Sequence, residues 1–322
     1  MIDIVCVFCN RDLEATMLQA RSIATYFKQV DIGRIIYICN GPVDKSWHWV
    51  GDELSRRLGG IDVLLLRNDD LGVTTEDPKK GGWTTQQVLK LEVSRFVRTR
   101  YYIVLDAKNH FVQPVGLGQF IAPNGKVAAT VKSLRGPNLD GLRFGLEYFS
   151  VPSANWQGTG LRGCTPFVFE TGVVRDLLEC LETKERASVV HTFVKHYGTM
   201  TEFLIYQAFL LYKGWDLLQV YEPGKQINLT IWLPQALDPV AFEESVTKAE
   251  SGAVDMLSIH WLTAHVLSSA QRGRLCSLWL GRGLIDSICE GERVIEWQID
   301  NTPDKDKPFL REQLDLHART RP

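Results

Sequence analysis

Residues 101–111 read YYIVLDAKNHF, an apolar run that ends abruptly in charge. The residues from Tyr102 to Leu105 are large or β-branched, which predicts a buried strand. The chain turns polar at Asp106, and Lys108 follows two positions later. In open α/β sheets ligands bind beyond the carboxyl ends of the strands. The end of this strand is therefore the first place to look for a site.

Three earlier segments have the same strand-like composition. They are IDIVCVF (2–8), RIIYICN (34–40) and IDVLLLR (61–67). Between the first two, apolar residues recur at helical spacing from Leu13 to Phe27, with Asp12 as the expected cap. Alternation of strands and helices predicts an α/β fold with a mainly parallel central sheet flanked by helices. The predicted strand ends are residues 8–11, 39–41, 67–70 and 106–109.

The second half is less regular. We expect a strand in KVAATVKS (126–133), a helix from about Thr171, and a helix opened by Thr201 and stopped by Gly214. DMLSIHW (255–261) alternates as a strand does. The tail NTPDKDKPFLREQLDLHARTRP is charged and marked by prolines. We therefore expect one domain over residues 1–300 and a charged extension or linker over residues 301–322.

Composition limits the class of protein. The chain has 322 residues, 36 basic and 38 acidic, for a net charge of −2. That balance argues against a general nucleic-acid or membrane-surface binder. Seven cysteines are an odd number, and the CxxC pair Cys6 and Cys9 lies in the first strand, so we expect structural thiols in the reducing cytoplasm. No signal peptide or membrane-spanning run is expected.

The segment KKGGWTTQQVLKLEVSRF (79–96) predicts a helix with an apolar face and a second, mainly polar face. At 100° per residue, Leu89 and Val93 belong to an apolar stripe. A second face carries Trp83, Gln86, Gln87, Lys90 and Ser94. Neighbouring amides supply donors and acceptors for hydroxyl or phosphate oxygens. This second face is typical of the wall of a binding site.

Four motifs in order resemble those of a family of bacterial glycosyltransferase-like proteins with a GT-A type fold. They are GGWTTQQVLKL (81–91), YYIVLDAKNHF (101–111), TPFVFE (165–170) and TEFLIYQAFL (201–210). The resemblance covers roughly residues 1 to 265. It implies a transferase linked to the assembly of surface polysaccharides. No GxGxxG follows the first strand, so the dinucleotide-binding fingerprint is missing there, and GxSxG and HExxH are absent from the sequence.

The resemblance gives Asp106 and Lys108 a specific meaning. GT-A enzymes carry Asp-x-Asp at this strand end, where the pair holds Mg²⁺ or Mn²⁺ against the leaving diphosphate. Here Lys108 replaces the second acid, removes a ligand and adds a cation that could neutralise phosphate. Asp106 stays a candidate metal ligand, and His260 is a weaker one. Metal dependence and metal independence both remain open.

Further cations surround the same edge: Arg11, Lys79, Lys80 and Lys90. They favour a strongly anionic donor such as phosphoribosyl pyrophosphate, which carries a diphosphate on its anomeric carbon, a second phosphate and no base. The alternative donor is a nucleotide sugar, which would need a base-and-ribose pocket near Asn10, Asn40 and Asp69. The full set of predicted donor-binding residues is Asn10, Arg11, Asn40, Trp83, Gln86, Gln87, Lys90 and Asn109.

The acceptor half is assigned through the resemblance. Glu202, in the Thr-Glu motif, is the predicted base for the acceptor hydroxyl, and Asp140 is a weaker candidate. The predicted acceptor-binding residues are Thr165, Phe167 and Thr201. Together with Asp106 and Lys108, Glu202 completes the predicted catalytic set.

The sequence thus predicts an enzyme that moves a hexosyl, pentosyl or phosphoribosyl unit to a glycan or lipid-linked glycan. Transfer of a phosphorylated ribofuranosyl unit would require a separate phosphatase. We expect the protein in the cytoplasm, with the inner face of the membrane as the alternative site of action. The rival hypothesis is a non-catalytic glycan-binding or scaffold protein that has lost its second acid.

Overall fold

The computed structural model describes residues 1–74, 81–152, 156 and 158–320 of the chain. Lys79 and Lys80, which the sequence placed near the donor, lie outside the described residues. The described strands are β1 (Ile2–Phe8), β2 (Ile32–Cys39), β3 (Val63–Arg67), β4 (Tyr101–Asp106), β5 (Asn109–Phe111), β6 (Val127–Ala129), β7 (Val131–Ser133), β8 (Thr159–Leu161), β9 (Phe167–Glu170), β10 (Tyr221–Pro223), β11 (Asn228–Ile231) and β12 (Met256–Ile259).

Helices alternate with strands as far as β4 and less regularly after it. They are α1 (Leu13–Tyr26), α2 (Trp47–Leu58), α3 (Gly81–Glu92), α4 (Pro137–Tyr148), α5 (Thr171–Glu185), α6 (Val189–Lys195), α7 (Glu202–Tyr212), α8 (Leu217–Val220), α9 (Leu233–Leu237), α10 (Pro239–Glu250), α11 (Trp261–Ala264), α12 (Ser269–Gly281), α13 (Ile288–Asp300) and α14 (Lys307–Thr320). Within the described ranges, no helix is long and apolar enough to cross a bilayer.

A five-stranded sheet in the order β3-β2-β1-β4-β9 forms the centre of the fold. Its first four strands are parallel, and β9 runs antiparallel to β4. Every residue of β1 is buried, as expected for a parallel strand covered on both faces. The predicted α/β fold with a mainly parallel sheet is confirmed. The register that pairs Val7 with Asp106 brings the ends of β1 and β4 side by side.

A smaller sheet joins distant parts of the sequence at the same edge. Its order is β11-β12-β5, with β11 parallel and β5 antiparallel to β12. Because β5 follows directly after Asp106 and Lys108, this sheet fixes the chain just beyond the end of β4. A second hydrophobic cluster, containing Phe242, Leu257 and Trp279, packs around it.

Local predictions need three corrections. Asp12 occupies the N-cap position of α1 but makes no side-chain cap; its carboxylate instead accepts a hydrogen bond from the Cys9 thiol at 3.2 Å. The predicted strand 126–133 is two strands, because β6 pairs with β10 while β7 pairs with β8. The predicted strand 255–261 is shortened to Met256–Ile259, and His260 is the N-cap of the short helix α11.

The C-terminal extension packs on the body of the protein. In the described part, Asp306 forms an ion pair with Arg11 at 3.0 Å, and Asn301 accepts a hydrogen bond from Asn10 at 2.7 Å. Residues 301–306 therefore contact the loop that follows β1. The boundary at residue 300 stays a prediction.

Candidate active site

A cleft of about 1140 Å³ opens where β1, β2 and β4 end. One wall is the exposed face of α3. The segments around Thr165 and His260 and the start of α7 also line the cleft. The location is the one expected for a ligand site in an open parallel sheet.

Asp106 lies at the floor of the cleft with both carboxylate oxygens occupied. Oδ1 accepts from Lys90 Nζ at 2.9 Å, while Oδ2 accepts from Thr165 Oγ1 at 2.9 Å and from the Lys108 ammonium. Burial alone would raise the pKa of Asp106, but Lys108 and Lys90 outweigh burial and hold that pKa well below its ordinary value. The carboxylate therefore stays ionised and anchors two lysines.

Lys90 connects Asp106 to the predicted base. Its side chain is buried, and Nζ donates to Glu202 Oε1 at 3.0 Å as well as to Asp106. Burial would lower the pKa of Lys90, yet the two carboxylates raise it above its ordinary value. The site thus contains two acids and two lysines, with a formal charge close to zero.

Glu202 stands at the first turn of α7 and is held from α3. Its backbone N–H donates to Gln87 Oε1 at 3.3 Å. Thr201 occupies the N-cap position as predicted, but its side chain makes no cap hydrogen bond. Gln87 therefore satisfies one of the free N–H groups in the first turn of α7. Among the described residues, Glu202 Oε2 has no hydrogen-bond partner, which leaves that oxygen available.

A closed ring of hydrogen bonds supports Asp106 from behind. The Asp106 N–H donates to Asn109 Oδ1 (2.6 Å), and Asn109 Nδ2 donates to Ser258 Oγ (2.6 Å). Ser258 then donates to Asn228 Oδ1 (2.8 Å), and Asn228 Nδ2 donates to the Thr165 carbonyl (3.2 Å). Thr165 closes the ring through its bond to Asp106. Asn109 is fully buried in this ring and does not line the cleft.

The turn that carries Lys108 is held by two further side chains. Gln19 Nε2 donates to the Asp106 carbonyl at 2.7 Å. His110 Nε2 accepts from Trp279 Nε1 at 3.0 Å, which leaves the proton of the neutral ring on Nδ1, 3.3 Å from the Lys108 carbonyl. The buried imidazole thus fixes the backbone at Lys108.

Stability should fall as the pH is lowered because His110 must stay neutral in the fold. Burial lowers the pKa of His110 to about 4. An unfolded histidine titrates near 6.5, so the unfolded state binds more protons between these values and stability rises with pH there. We expect a His110 contribution of about 2 kcal/mol to be lost between pH 7 and pH 5. Urea unfolding at both pH values measures it.

The matched control for this pH dependence is His110→Phe, which lacks the titrating ring. Its stability should decrease less between pH 7 and pH 5 than that of the wild type. An equal decrease in both proteins would contradict the assignment to His110.

Two predicted donor residues use their amides to shape the edge of the cleft. Asn10 donates to Asp44 Oδ2 and accepts from the Asp44 N–H, besides its contact with Asn301. Asn40 Oδ1 accepts from Thr85 Oγ1 at 2.8 Å. Both side chains line the cleft. Their donor-binding roles stay predictions.

Arg11 also lines the cleft, and its guanidinium is engaged on two sides. It pairs with Asp306 at 3.0 Å and lies 4.4 Å above the centre of the Trp261 ring. An anionic ligand that used Arg11 would compete with Asp306.

The second face of α3 forms the predicted wall. Trp83, Gln86, Gln87 and Lys90 line the cleft, whereas Ser94 is buried away from it. Trp83 is 47% exposed at the mouth, and Lys90 is buried at the floor. Their order along the helix therefore runs from solvent to the Asp106 carboxylate.

The predicted acceptor residues fall in different environments. Thr165 and Thr201 line the cleft. Phe167 is buried, stacks on Phe203 with ring centres 4.6 Å apart, and borders a separate cavity of about 60 Å³. Asp140, the weaker candidate base, is exposed on α4 and does not line the cleft.

The side chains present do not fit a resident Mg²⁺ or Mn²⁺. Asp106 has both oxygens bound to lysine and threonine. His260 Nδ1 accepts a hydrogen bond from the Leu262 N–H at 3.4 Å, so the neutral ring carries its proton on Nε2. A histidine that binds a metal uses one bare nitrogen for the metal and donates a hydrogen bond from the other. Here the bare nitrogen is already used by the backbone. Burial, with Lys108 and Arg11, lowers the pKa of His260 to about 3. In the described ranges no three His, Cys, Asp or Glu side chains converge on one point.

Sequence reasoning missed several residues that line the cleft, among them Arg162, Tyr197 and Trp232. Arg162 stands three positions before Thr165, and no carboxylate pairs with it among the described residues. The nearby Thr-Pro-Phe motif was the signal that could have pointed to it. Trp232 stacks on His260 with ring centres 4.6 Å apart.

Comparisons with known proteins give a family and several distant structures. The model of a family of unknown function, DUF6492, matches residues 9–251. The chain is similar to the galactosyltransferase LgtC in complex with donor and acceptor sugar analogs, at 12% identity over 95% of this chain and 99% of that chain, with a TM-score of 0.44.

Two other solved structures are similar at the same distance. Mouse xyloside xylosyltransferase 1 is 12% identical over 80% of this chain and 98% of its own, with a TM-score of 0.40. The glycosyltransferase GlyE of Streptococcus pneumoniae is 12% identical over 93% of this chain and 63% of its own, also at 0.40. No curated protein matches the sequence.

Proposed function

We propose that this chain, which belongs to the DUF6492 family of unknown function, is a glycosyltransferase of GT-A type that moves a glycosyl unit from a diphosphate-activated donor to a hydroxyl group of a bacterial polysaccharide. The observation that supports the proposal is the Asp106–Lys90–Glu202 cluster with Lys108, set at strand ends in a large cleft. The order of the four sequence motifs supports the same reaction class.

Lys108 is the group proposed to meet the leaving diphosphate. Its ammonium is tied to Asp106 yet partly exposed, and Arg162 adds a second cation to the cleft wall. Negative charge grows on the diphosphate as the bond to the anomeric carbon breaks, and fixed cations stabilise that charge without reorganising. Because the residues present do not fit a resident metal ion, lysine and arginine would carry this role.

Glu202 is the proposed general base. The acceptor hydroxyl loses its proton to Oε2, its oxygen bonds to the anomeric carbon, and the diphosphate leaves with the bonding electron pair. Lys90 holds Oε1, so the carboxylate keeps a fixed orientation. A general base must lie within hydrogen-bond reach of the group it deprotonates, and Glu202 lines the cleft where the acceptor hydroxyl would bind.

Phosphoribosyl pyrophosphate is the donor we favour. Lys108 occupies the position of the second acid of the Asp-x-Asp metal motif. A nucleotide donor would place its base and ribose near Asn10, and there Asn10 is hydrogen-bonded to Asp44 and Asn301. The transferred ribofuranosyl group would keep its own phosphate, and a separate phosphatase would complete the product. The described cysteines form no disulfide, which fits the reducing cytoplasm proposed for the reaction.

A thermal-shift panel tests the donor. We expect phosphoribosyl pyrophosphate to stabilise the protein with and without Mg²⁺, by about 2.7 kcal/mol at a hundred times its dissociation constant. Lys108→Asp should abolish the shift, because it places a second carboxylate against the diphosphate. Lys248→Asp, at an exposed position of α10, is the control and should keep it.

The other outcomes of the panel are equally informative. A shift with nucleotide sugars alone would favour the nucleotide-dependent alternative, for which the Trp232 ring offers a stacking surface in the cleft. No shift with any donor would favour the non-catalytic glycan-binding or scaffold protein.

A further inference from the structure

Two large aromatic rings stand exposed at the mouth of the cleft. Trp83 is 47% exposed and Tyr197 is 46% exposed, and their rings meet edge to face with centres 5.7 Å apart. Both line the cleft. Exposed apolar surface concentrated in a concave site is typical of ligand contact. The reaction proposed above uses neither ring.

The aromatic pair is coupled to the proposed base through one side chain. Gln87 Nε2 donates to the Trp83 carbonyl at 3.4 Å, and Gln87 Oε1 accepts from the Glu202 N–H. Tyr197 belongs to the segment that leads into Glu202. The pair therefore has a fixed position relative to the base, on the acceptor side of the cleft.

The spacing of Trp83 and Lys90 along α3 indicates how long a ligand must be to contact both the aromatic pair and Glu202. Trp83 precedes Lys90 by seven residues on the same helix face, which corresponds to about 10 Å. Lys90 contacts Glu202. A molecule that reached from Glu202 to the aromatic pair would be longer than one sugar ring. The cleft, at about 1140 Å³, exceeds the usual size of a small-molecule pocket and has room for it.

We propose that Trp83 and Tyr197 form a subsite for the acceptor glycan, holding a sugar unit beyond the one whose hydroxyl reacts. Sugar rings present C–H faces that pack on aromatic rings, while their hydroxyls meet amides such as that of Gln86 on the same wall. The inference rests on the proposed function and names its acceptor as an oligosaccharide chain. It reassigns Trp83 from the donor to the acceptor.

The test uses an array of bacterial oligosaccharides of two to eight units, followed by titration of the tightest binder and its shortened forms. Trp83→Ala and Tyr197→Ala should each weaken binding of the full oligosaccharide about tenfold. Both should bind the shortest form as the wild type does. The thermal shift produced by phosphoribosyl pyrophosphate or by nucleotide sugars should be unchanged.

Tyr212→Ala is the matched control. Tyr212 is 50% exposed, stacks on Phe149 and does not line the cleft, so its loss should not alter glycan binding. Absence of binding to every oligosaccharide at millimolar concentration would overturn the subsite. Weaker donor binding with unchanged glycan binding would also overturn it and return Trp83 to the donor. Glycan binding that depends on both rings, without any transfer, would uphold the subsite and remove the proposed enzyme.

Discussion

Replacing Glu202 with glutamine should lower kcat about 10²–10⁴-fold while leaving donor binding intact. The substitution keeps the size of the side chain and its contact with Lys90 but removes the oxygen that accepts the acceptor proton. Lys90 also retains its bond to Asp106, so the donor half of the site keeps its charge. Product formation at saturating acceptor, with the donor identified by thermal shift, measures the effect.

Asp140→Asn is the control for this experiment, because Asp140 is the other acid that the sequence offered as a base. It is exposed and lies outside the cleft, so its kcat should match that of the wild type. If Asp140→Asn lost activity and Glu202→Gln kept it, the assignment of the base would be wrong.

Lys90→Met should destabilise the fold by about 3–5 kcal/mol. Lys90 is buried between two carboxylates, and methionine fills similar space without the charge. Glu202 would then lose its only cation among the described residues, whereas Asp106 would keep Lys108. Breaking a buried ion pair from one side leaves an uncompensated charge, which is the costly case. Urea unfolding at pH 7 gives the change.

Two further variants test whether the loss of stability comes from the unpaired buried charge. Lys213→Met removes an exposed lysine that pairs with Asp176 at 3.5 Å, and should cost less than about 1 kcal/mol. The double variant Lys90→Met with Glu202→Gln should be more stable than Lys90→Met alone, because the unpaired buried carboxylate is gone. Equal stability of the single and double variants would show that Glu202 is not the partner that matters.

Much of the fold could be predicted because it follows from local patterns. β1, β2 and β4 are continuous apolar runs, and only a sheet covered on both faces can bury them. The gap between β6 and β7 at Thr130 and the end of β12 at Ile259 could not be predicted. Both depend on which distant strand pairs with each segment. Strand pairing is a tertiary property, and single-segment composition does not record it.

Only part of the candidate site could be predicted, because some of its contacts join segments that are distant in the sequence. The face of α3 was visible as a periodicity, and Asp106 with Lys108 as a strand end. The sequence could not show that Gln87 would cap α7, or that Asn109 would turn away from the cleft into a buried ring. Ser258 and Asn228 belong to that ring but stand more than a hundred residues from Asp106 in the chain. No short motif could associate them.

The small sheet of β5, β11 and β12 has a consequence for synthesis on the ribosome. The turn that carries Lys108 is made early, but the strands that fix it end only at Ile259. A nascent chain that had emerged only as far as α10 would contain Lys90, Asp106, Lys108 and Glu202 without Ser258, and so without the complete ring that orients Asp106. Contacts between such distant segments form late because their loop must close first. The orientation of Asp106 should therefore be fixed only after β12, at Met256–Ile259, has left the exit tunnel.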